Sequence, residues 1–255
     1  MPRGEASEAD RRLMTAALAL ARRSTGRSTP NPDVGCLLVR DDRIVARGST
    51  GDGGRPHAEA VALAAAGPAA RGATAYVTLE PCAHASARGP ACAPALVAAG
   101  VARVVVAMPD PDPRTAGRGI ALMRAAGLVV ETDVCRESAE AQLRGFRLRH
   151  SDDRPEITLK LALSLDGRLA LPDGRSRWLT GEVARAMGHL ERARADAVVV
   201  GRATVEADAP RLDVRLPGWT GRQPARVMVG QGPAPAGFEG VDSPEALIGL
   251  ARARG

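Results

Sequence analysis

Short apolar runs of strand length alternate with Ala-rich helical stretches from about residue 34 onwards, most of them closed by Gly or Pro. A chain with this alternation builds a layered α/β domain with connecting helices on both faces of its sheet. Ahead of it, Leu13, Ala16, Ala17, Leu20 and Ala21 recur at helical spacing between Glu8 and Arg23. Strands are expected at about 34–40 and 43–48 around the turn Asp41-Asp42, at 73–79, at 101–108 and at 128–132. Helices are expected from Ala58 to Ala66, Ala93 to Ala99, Thr115 to Ala126 and Glu137 to Arg149. A first domain of residues 1–150 therefore ends near His150, and 151–155 reads as a polar linker. A second alternation fills 156–255: a strand at 156–163, helices at about 180–194 and 203–207, strands at 197–200 and 225–229, a Gly/Pro loop at 230–240, and a last helix capped by Ser243. Aromatic residues are only 2% of the chain, so the core must be built from Ala, Val and Leu.

Within that frame one imidazole, two thiols and one carboxylate stand at telling positions. His57-Ala58-Glu59 precedes Pro81-Cys82, and Cys92 follows after nine intervening residues. A catalytic zinc takes three protein donors and leaves its fourth position to water, whose pKa it lowers to about 7. His57, Cys82 and Cys92 are the expected zinc ligands. Glu59 is the expected general acid/base, as in the H-x-E…P-C-x-x-C signature of hydrolytic zinc deaminases, where Glu is not a ligand. The first half of that signature is present; in the second, nine residues and not two separate the cysteines. Expected helix starts at His57 and Cys92 place these groups where thiolates are favoured.

The net charge of +6 and pI near 10.0 come almost wholly from Arg, Lys160 being the only lysine. Such a balance suits nucleic acid or a phosphorylated small substrate. Base-stacking platforms need aromatics interleaved with basic residues; none are present, so no nucleic-acid partner is expected. Four cysteines in a chain this long make no disulfide framework. Cys36 reads as buried strand, Cys135 has no evident partner, and His84, His150 and His189 read as structural. No leader segment and no membrane-length apolar run is visible, so a cytoplasmic protein without membrane contact is expected.

Taken together, several runs resemble the bifunctional deaminase/reductase family of riboflavin biosynthesis. They are Pro30-Asn31-Pro32-Asp33-Val34-Gly35-Cys36, Pro56-His57-Ala58-Glu59, and Tyr76 to His84 with its Thr78-Leu79-Glu80-Pro81-Cys82 core. Asp110-Pro111-Asp112-Pro113 with Ala116-Gly117-Arg118-Gly119 also match. In the second half the matches are Leu159-Lys160, Ser164-Leu165-Asp166-Gly167-Arg168, Ser176-Arg177-Trp178, Val200-Gly201, Thr204-Val205 and Ala207-Asp208. The resemblance implies a three-layer α/β/α zinc deaminase domain followed by a partial dihydrofolate-reductase-like α/β domain. It implies hydrolysis of the exocyclic amine of a diaminopyrimidinone bearing a phosphoribosylamino group, then reduction of the ribosyl group by NADPH. It also implies that Asn31, Arg88, Asp110 and Asp112 contact the deaminase substrate. In the second domain Ser176, Arg192, Leu212 and Arg215 match substrate-contact positions, and Ala162, Trp178, Thr204 and Asp208 match NADPH-contact positions.

Three departures bear on the substrate. The family has eight residues between the cysteines where this chain has nine, Ala91 being the expected insertion. Thr50 stands where the family carries a His. Asp112 replaces an Asn, exchanging an amide that donates for a carboxylate that only accepts and that repels a nearby phosphate. The family's reductase also continues into a strand and a Glu-Gly-Gly loop that follow the helix ending at Gly255, and is longer between Val229 and Ser243. The expectation is a working deaminase with an incomplete reductase that binds NADPH weakly and does not reduce the product. A nucleoside or tRNA base deaminase, a divergent or non-catalytic paralogue, and a fragment of a longer enzyme are the alternatives, and a homo-oligomer is left open.

Overall fold

The computed structural model describes residues 6–84, 89–172 and 179–254. The chain divides into two compact units, Met1–Arg154 and Pro155–Gly255.

The first unit opens with α1 (Glu8–Ala21), started by a capping box: Ser7 Oγ accepts from the Asp10 N–H at 3.0 Å while the Asp10 carboxylate accepts from the Ser7 N–H at 3.3 Å. Strands β1 (Gly35–Arg40) and β2 (Arg43–Ser49) form a hairpin whose turn residues Asp41 and Asp42 take φ of 50° and 56°, the left-handed pair a two-residue hairpin turn requires. There follow α2 (Ala58–Ala66), β3 (Thr74–Val77), α3 (Cys92–Ala98), β4 (Arg103–Val106), α4 (Arg118–Ala125), β5 (Val129–Glu131), α5 (Arg136–Gln142) and α6 (Arg144–Ser151). The sheet order is β2-β1-β3-β4-β5, with β1 antiparallel to both neighbours and β3, β4 and β5 parallel.

Two glycines show how the layers are stacked. A Cβ on Gly35 would lie 2.1 Å from the Ala17 carbonyl oxygen of α1, and one on Gly48 would lie 2.0 Å from the Ala58 carbonyl oxygen of α2. Gly48 pairs with Cys36, the neighbour of Gly35 on β1, and adjacent strand residues point to opposite faces. The two helices therefore cover opposite faces, as the alternation of elements requires. Between them the core is aliphatic: Leu37, Leu38, Val77, Val104, Val105, Val106, Leu96, Met14 and Met123 are fully buried.

One polar network crosses this core. Tyr76 Oη donates to Asp10 Oδ1 at 2.7 Å, and the Arg103 guanidinium grips both Asp10 oxygens at 2.8 and 2.9 Å while reaching Glu131 at 2.8 Å. The hydrogen bonds from Arg103 hold the Asp10 carboxyl well below the usual range, and burial pushes Tyr76 up to about 12. The network ties α1 to three strands.

Two boundaries differ from expectation. The helix expected from Thr115 begins at Arg118, because Gly117 is left-handed at φ 77°. The closing helix expected from Glu137 to Arg149 breaks into two at Leu143, which turns into the core beside the poor helix former Gly145.

The second unit contains α7 (Glu182–Arg194), β6 (Ala197–Gly201), α8 (Arg202–Asp208), β7 (Ala225–Val229), β8 (Glu239–Val241) and α9 (Ala246–Arg254). Its three strands are parallel in the order β6-β7-β8. The strand expected at 156–163 is not formed: among the described residues no strand pairs with it, and Ile157, Leu159 and Leu161 are 71, 78 and 52% exposed. Alternating apolar residues are not enough for a strand without a ladder partner for the backbone. The expected loop at 230–240 contains the start of β8, which pairs with β7. No helix among the described residues is long and apolar enough to cross a membrane.

Candidate active site

Antiparallel β1 begins at the end of the sheet where parallel β3 and β4 finish, so three connections gather there. They are the Asn31–Val34 approach to β1, the Thr78–Cys92 segment after β3, and the Ala107–Gly117 segment after β4. The carboxyl ends of parallel strands are where α/β sheets place their ligand sites.

His57 is the N-cap of α2 with extended backbone, and Cys92 is the first residue of α3. The two helix starts converge on Cys82: His57 Nδ1 lies 3.3 Å from Cys92 Sγ and 3.7 Å from Cys82 Sγ, and the Cys92 N–H donates to Cys82 Sγ at 3.3 Å. All three donor atoms lie within 4.8 Å of one another, with both cysteines buried and His57 half-buried. Zinc with sulfur ligands at ~2.3 Å and nitrogen at ~2.0 Å in a tetrahedron needs donors about 3.4–3.8 Å apart. The donor set and its spacing therefore fit zinc. The hydrogen bond between the two cysteine side chains lowers the pKa of Cys82 and raises that of Cys92.

Glu59 lies in the first turn of α2, 4% exposed, beside Cys92. Burial raises its pKa above the ordinary carboxylate range, which suits a group that must both take and give a proton. Asn31 Nδ2 donates to the Gly54 carbonyl at 2.8 Å and lies 3.2 Å from His57 Nε2, on the side of the ring away from the thiols. Thr50 is buried with its hydroxyl committed, accepting from the Val34 N–H and donating to the Pro32 carbonyl, both at 3.0 Å. It clamps the segment that carries Asn31.

Asp110 is 9% exposed, and its pKa is pushed up to about 7, first by burial and then by the charges of Asp112, Glu80 and Cys82. The Asp112 carboxylate is gripped by the Arg114 guanidinium at 2.5–3.0 Å, which lowers its pKa to about 2. The repulsion of a phosphate expected from Asp112 is thus offset by a cation on the same turn. His84, read as structural, meets Thr115 Oγ1 at 3.2 Å. Arg88 lies outside the described residues, as do Ser176 and Trp178. Glu80, which the sequence marks only as the end of a strand, is buried and joins three backbone N–H groups at this end of the sheet.

In the second unit the loop after α8 brings three of the expected residues together. Arg192 Nη1 donates to the Asp213 carbonyl at 3.2 Å, the Arg215 guanidinium binds Asp213 Oδ1 at 2.9 Å, and Leu212 between them is buried with φ 54°. His189 Nδ1 accepts from the Arg215 N–H at 3.2 Å. Burial and the Arg215 charge lower the pKa of Arg192. Thr204 and Asp208 stand exposed one turn apart on α8, and Ala162 lies in the segment 155–163, which forms neither helix nor strand.

The family model for the cytidine and deoxycytidylate deaminase zinc-binding region matches residues 7–108, and that for the RibD C-terminal domain matches residues 155–235. The riboflavin biosynthesis protein RibD of Aquifex aeolicus is 44% identical over 222 residues, 87% of this chain and 62% of the relative. That of Escherichia coli is 45% identical over 231 residues, 86% of this chain and 63% of the relative. This chain thus spans somewhat less than two thirds of the length of these relatives. Among solved structures, Acinetobacter baumannii RibD is 42% identical with a TM-score of 0.84, covering 95% of this chain and 72% of its own. A diaminohydroxyphosphoribosylaminopyrimidine deaminase/5-amino-6-(5-phosphoribosylamino)uracil reductase from Thermotoga maritima is 32% identical with a TM-score of 0.87, covering 96% and 77%. The zinc-type donor set, the two matched domains and these relatives lead to one conclusion: the chain belongs to the RibD family of riboflavin biosynthesis proteins.

Proposed function

We propose that residues 1–150 form a zinc-dependent deaminase acting on a diaminopyrimidinone that carries a phosphoribosylamino group, a step of riboflavin biosynthesis. The observation that carries this reading is the convergence of His57, Cys82 and Cys92 within 4.8 Å, with buried Glu59 beside them. His57, Cys82 and Cys92 would hold the zinc, which when bound would supply Lewis acidity and a water of pKa about 7. Asn31 holds the pyrimidine ring on the His57 side, and Asp110 with Asp112 and Arg88 meets the rest of the substrate. The Glu59 carboxylate takes the proton of the attacking water, passes it to the ring nitrogen, and delivers the next to the departing amine. A C–O bond forms as the C–N bond breaks, so the exocyclic amine leaves as ammonia and a ring carbonyl remains. Burial of Glu59 keeps bulk water from competing for that proton.

The test is ammonia release from the aminopyrimidine ribosyl phosphate. Glu59→Gln should retain about one zinc per chain and lose activity by roughly 10²–10⁴-fold, the usual contribution of general acid–base catalysis. A variant keeping more than about a tenth of the wild-type rate would remove Glu59 from the mechanism.

A second reading is favoured by the match of residues 155–235 to the RibD C-terminal domain. Here we propose a reductase-type unit in which Ala162, Trp178, Thr204 and Asp208 contact NADPH and Ser176, Arg192, Leu212 and Arg215 contact the deaminated product, with the weak NADPH binding and lack of product reduction expected from the sequence, since the segment carrying Ala162 forms no strand. Titration with NADPH tests it: micromolar binding with NADPH oxidation dependent on that product refutes it for this chain. The cytoplasm is the proposed location, supported by four cysteines of which none forms a disulfide.

A further inference from the structure

We propose that Glu80 is a positioning residue that holds the substrate-facing turn Asp110–Arg114 in register with the segment delivering Cys82; the inference rests on the deaminase reading above. The Glu80 carboxylate is only 3% exposed. Burying a carboxyl group is costly unless hydrogen bonds replace its water, and here backbone N–H groups do so. Oε2 accepts from Asp110 at 3.2 Å and from Gly117 at 3.0 Å, and Oε1 accepts from Ile120 at 3.1 Å. Two of these donors belong to the first turn of α4, whose N-cap Gly117 has no side chain to offer.

A helix start is ordinarily capped by a Ser, Thr, Asp or Asn of its own. This cap comes instead from 37 residues upstream, on the segment that continues through Pro81 into Cys82. The contact is tight. A Cβ on Gly119 would lie 2.0 Å from the Pro81 carbonyl oxygen, so α4 rests directly on the residue before Cys82. From Asp110 the same order passes onward: Asp110 Oδ1 accepts from the Asp112 N–H and Asp112 Oδ1 from the Arg114 N–H, each at 2.9 Å. One carboxylate therefore fixes the helix start, the Asp110 turn and the Cys82 segment against each other.

Glu80→Gln is close to isosteric but replaces one accepting oxygen with a donor, leaving at least one of the three N–H groups facing another donor. The expected result is about one zinc per chain, kcat within about threefold of wild type, and KM for the aminopyrimidine ribosyl phosphate raised at least tenfold, because ground-state and transition-state binding fall together. Glu80→Asp keeps the carboxyl group but lacks the reach, and should shift KM the same way with zinc retained. In a double-mutant cycle with Asp110→Ala, the second change should add little to KM, since both act through Asp110.

A Glu80→Gln protein with zinc intact and KM unchanged overturns the proposal, as does full additivity with Asp110→Ala. So does loss of folding or zinc in both Glu80 variants, which would assign the residue to the scaffold alone. A zinc-loaded wild type that releases no ammonia overturns the deaminase reading first, and this inference with it.

Discussion

Gly48→Ala should weaken zinc binding although Gly48 touches no ligand. The added Cβ would sit 2.0 Å from the Ala58 carbonyl oxygen and 2.7 Å from the Ala62 nitrogen, both of them backbone atoms of α2. Contacts of this kind become ordinary only near 3.4 Å, so the start of α2 must retreat by about 1.0–1.4 Å. Ala58 follows His57 directly, and the His57 donor moves with it. Metal–ligand distances tolerate only about ±0.2 Å, so a His57 shift several times larger should lower zinc affinity by at least the roughly 10–100-fold seen when supports of metal ligands are removed. Overpacking itself costs about 1–3 kcal/mol, or roughly 2–12 °C of melting temperature at about 2–4 °C per kcal/mol. Gly35→Ala is the matched control, because its Cβ would press at 2.1 Å on the Ala17 carbonyl of α1, which carries no zinc donor. Both variants should melt earlier, and zinc competition against a chelator should separate them. Equal zinc affinity in the two would refute the claim that α2 carries the ligand geometry.

Cys92→Ser should strip most of the zinc and with it deamination, because a hydroxyl is a poor replacement for thiolate and only two strong donors remain; full occupancy by elemental analysis would instead move the third ligand to another residue. Arg103→Met should destabilise the first unit by about 3 kcal/mol near neutral pH, since it leaves the buried Asp10 carboxylate without its cation. Asp10 has a folded pKa below its unfolded value because of Arg103, so its contribution is complete above about pH 4 and fades as pH falls through the folded value. The stability gap between wild type and Arg103→Met should therefore be widest at neutral pH and narrow in acid; a gap independent of pH would show that the loss comes from packing.

Periodicity made the first unit's order of elements legible because each element buries one face by itself. Ala17, Leu18 and Ala21 mark α1, and the run Val104-Val105-Val106 marks a strand covered on both sides. The same reasoning failed at 156–163, where Ile157, Leu159, Leu161 and Leu163 alternate properly but the backbone finds no ladder. Alternation reports which face is apolar and says nothing about a neighbour. The site divides along a similar line. The cluster of His57, Cys82 and Cys92 was legible because metal chemistry restricts the residue types, whatever the separation in sequence, and the extra residue between the cysteines did not keep their donors from gathering within 4.8 Å. Glu80 and Arg114 were not legible, since what each does depends on partners up to 40 residues away or on a side-chain pairing within a turn. Asp112 makes the point most sharply. As a letter it turns a donating amide into a charge that would repel a phosphate, whereas in the fold it is one half of a pair whose other half, Arg114, is 70% exposed. The turn thus presents a cation at its surface and keeps its carboxylate inside, so the substitution that most questioned a phosphorylated substrate leaves the local electrostatics compatible with one.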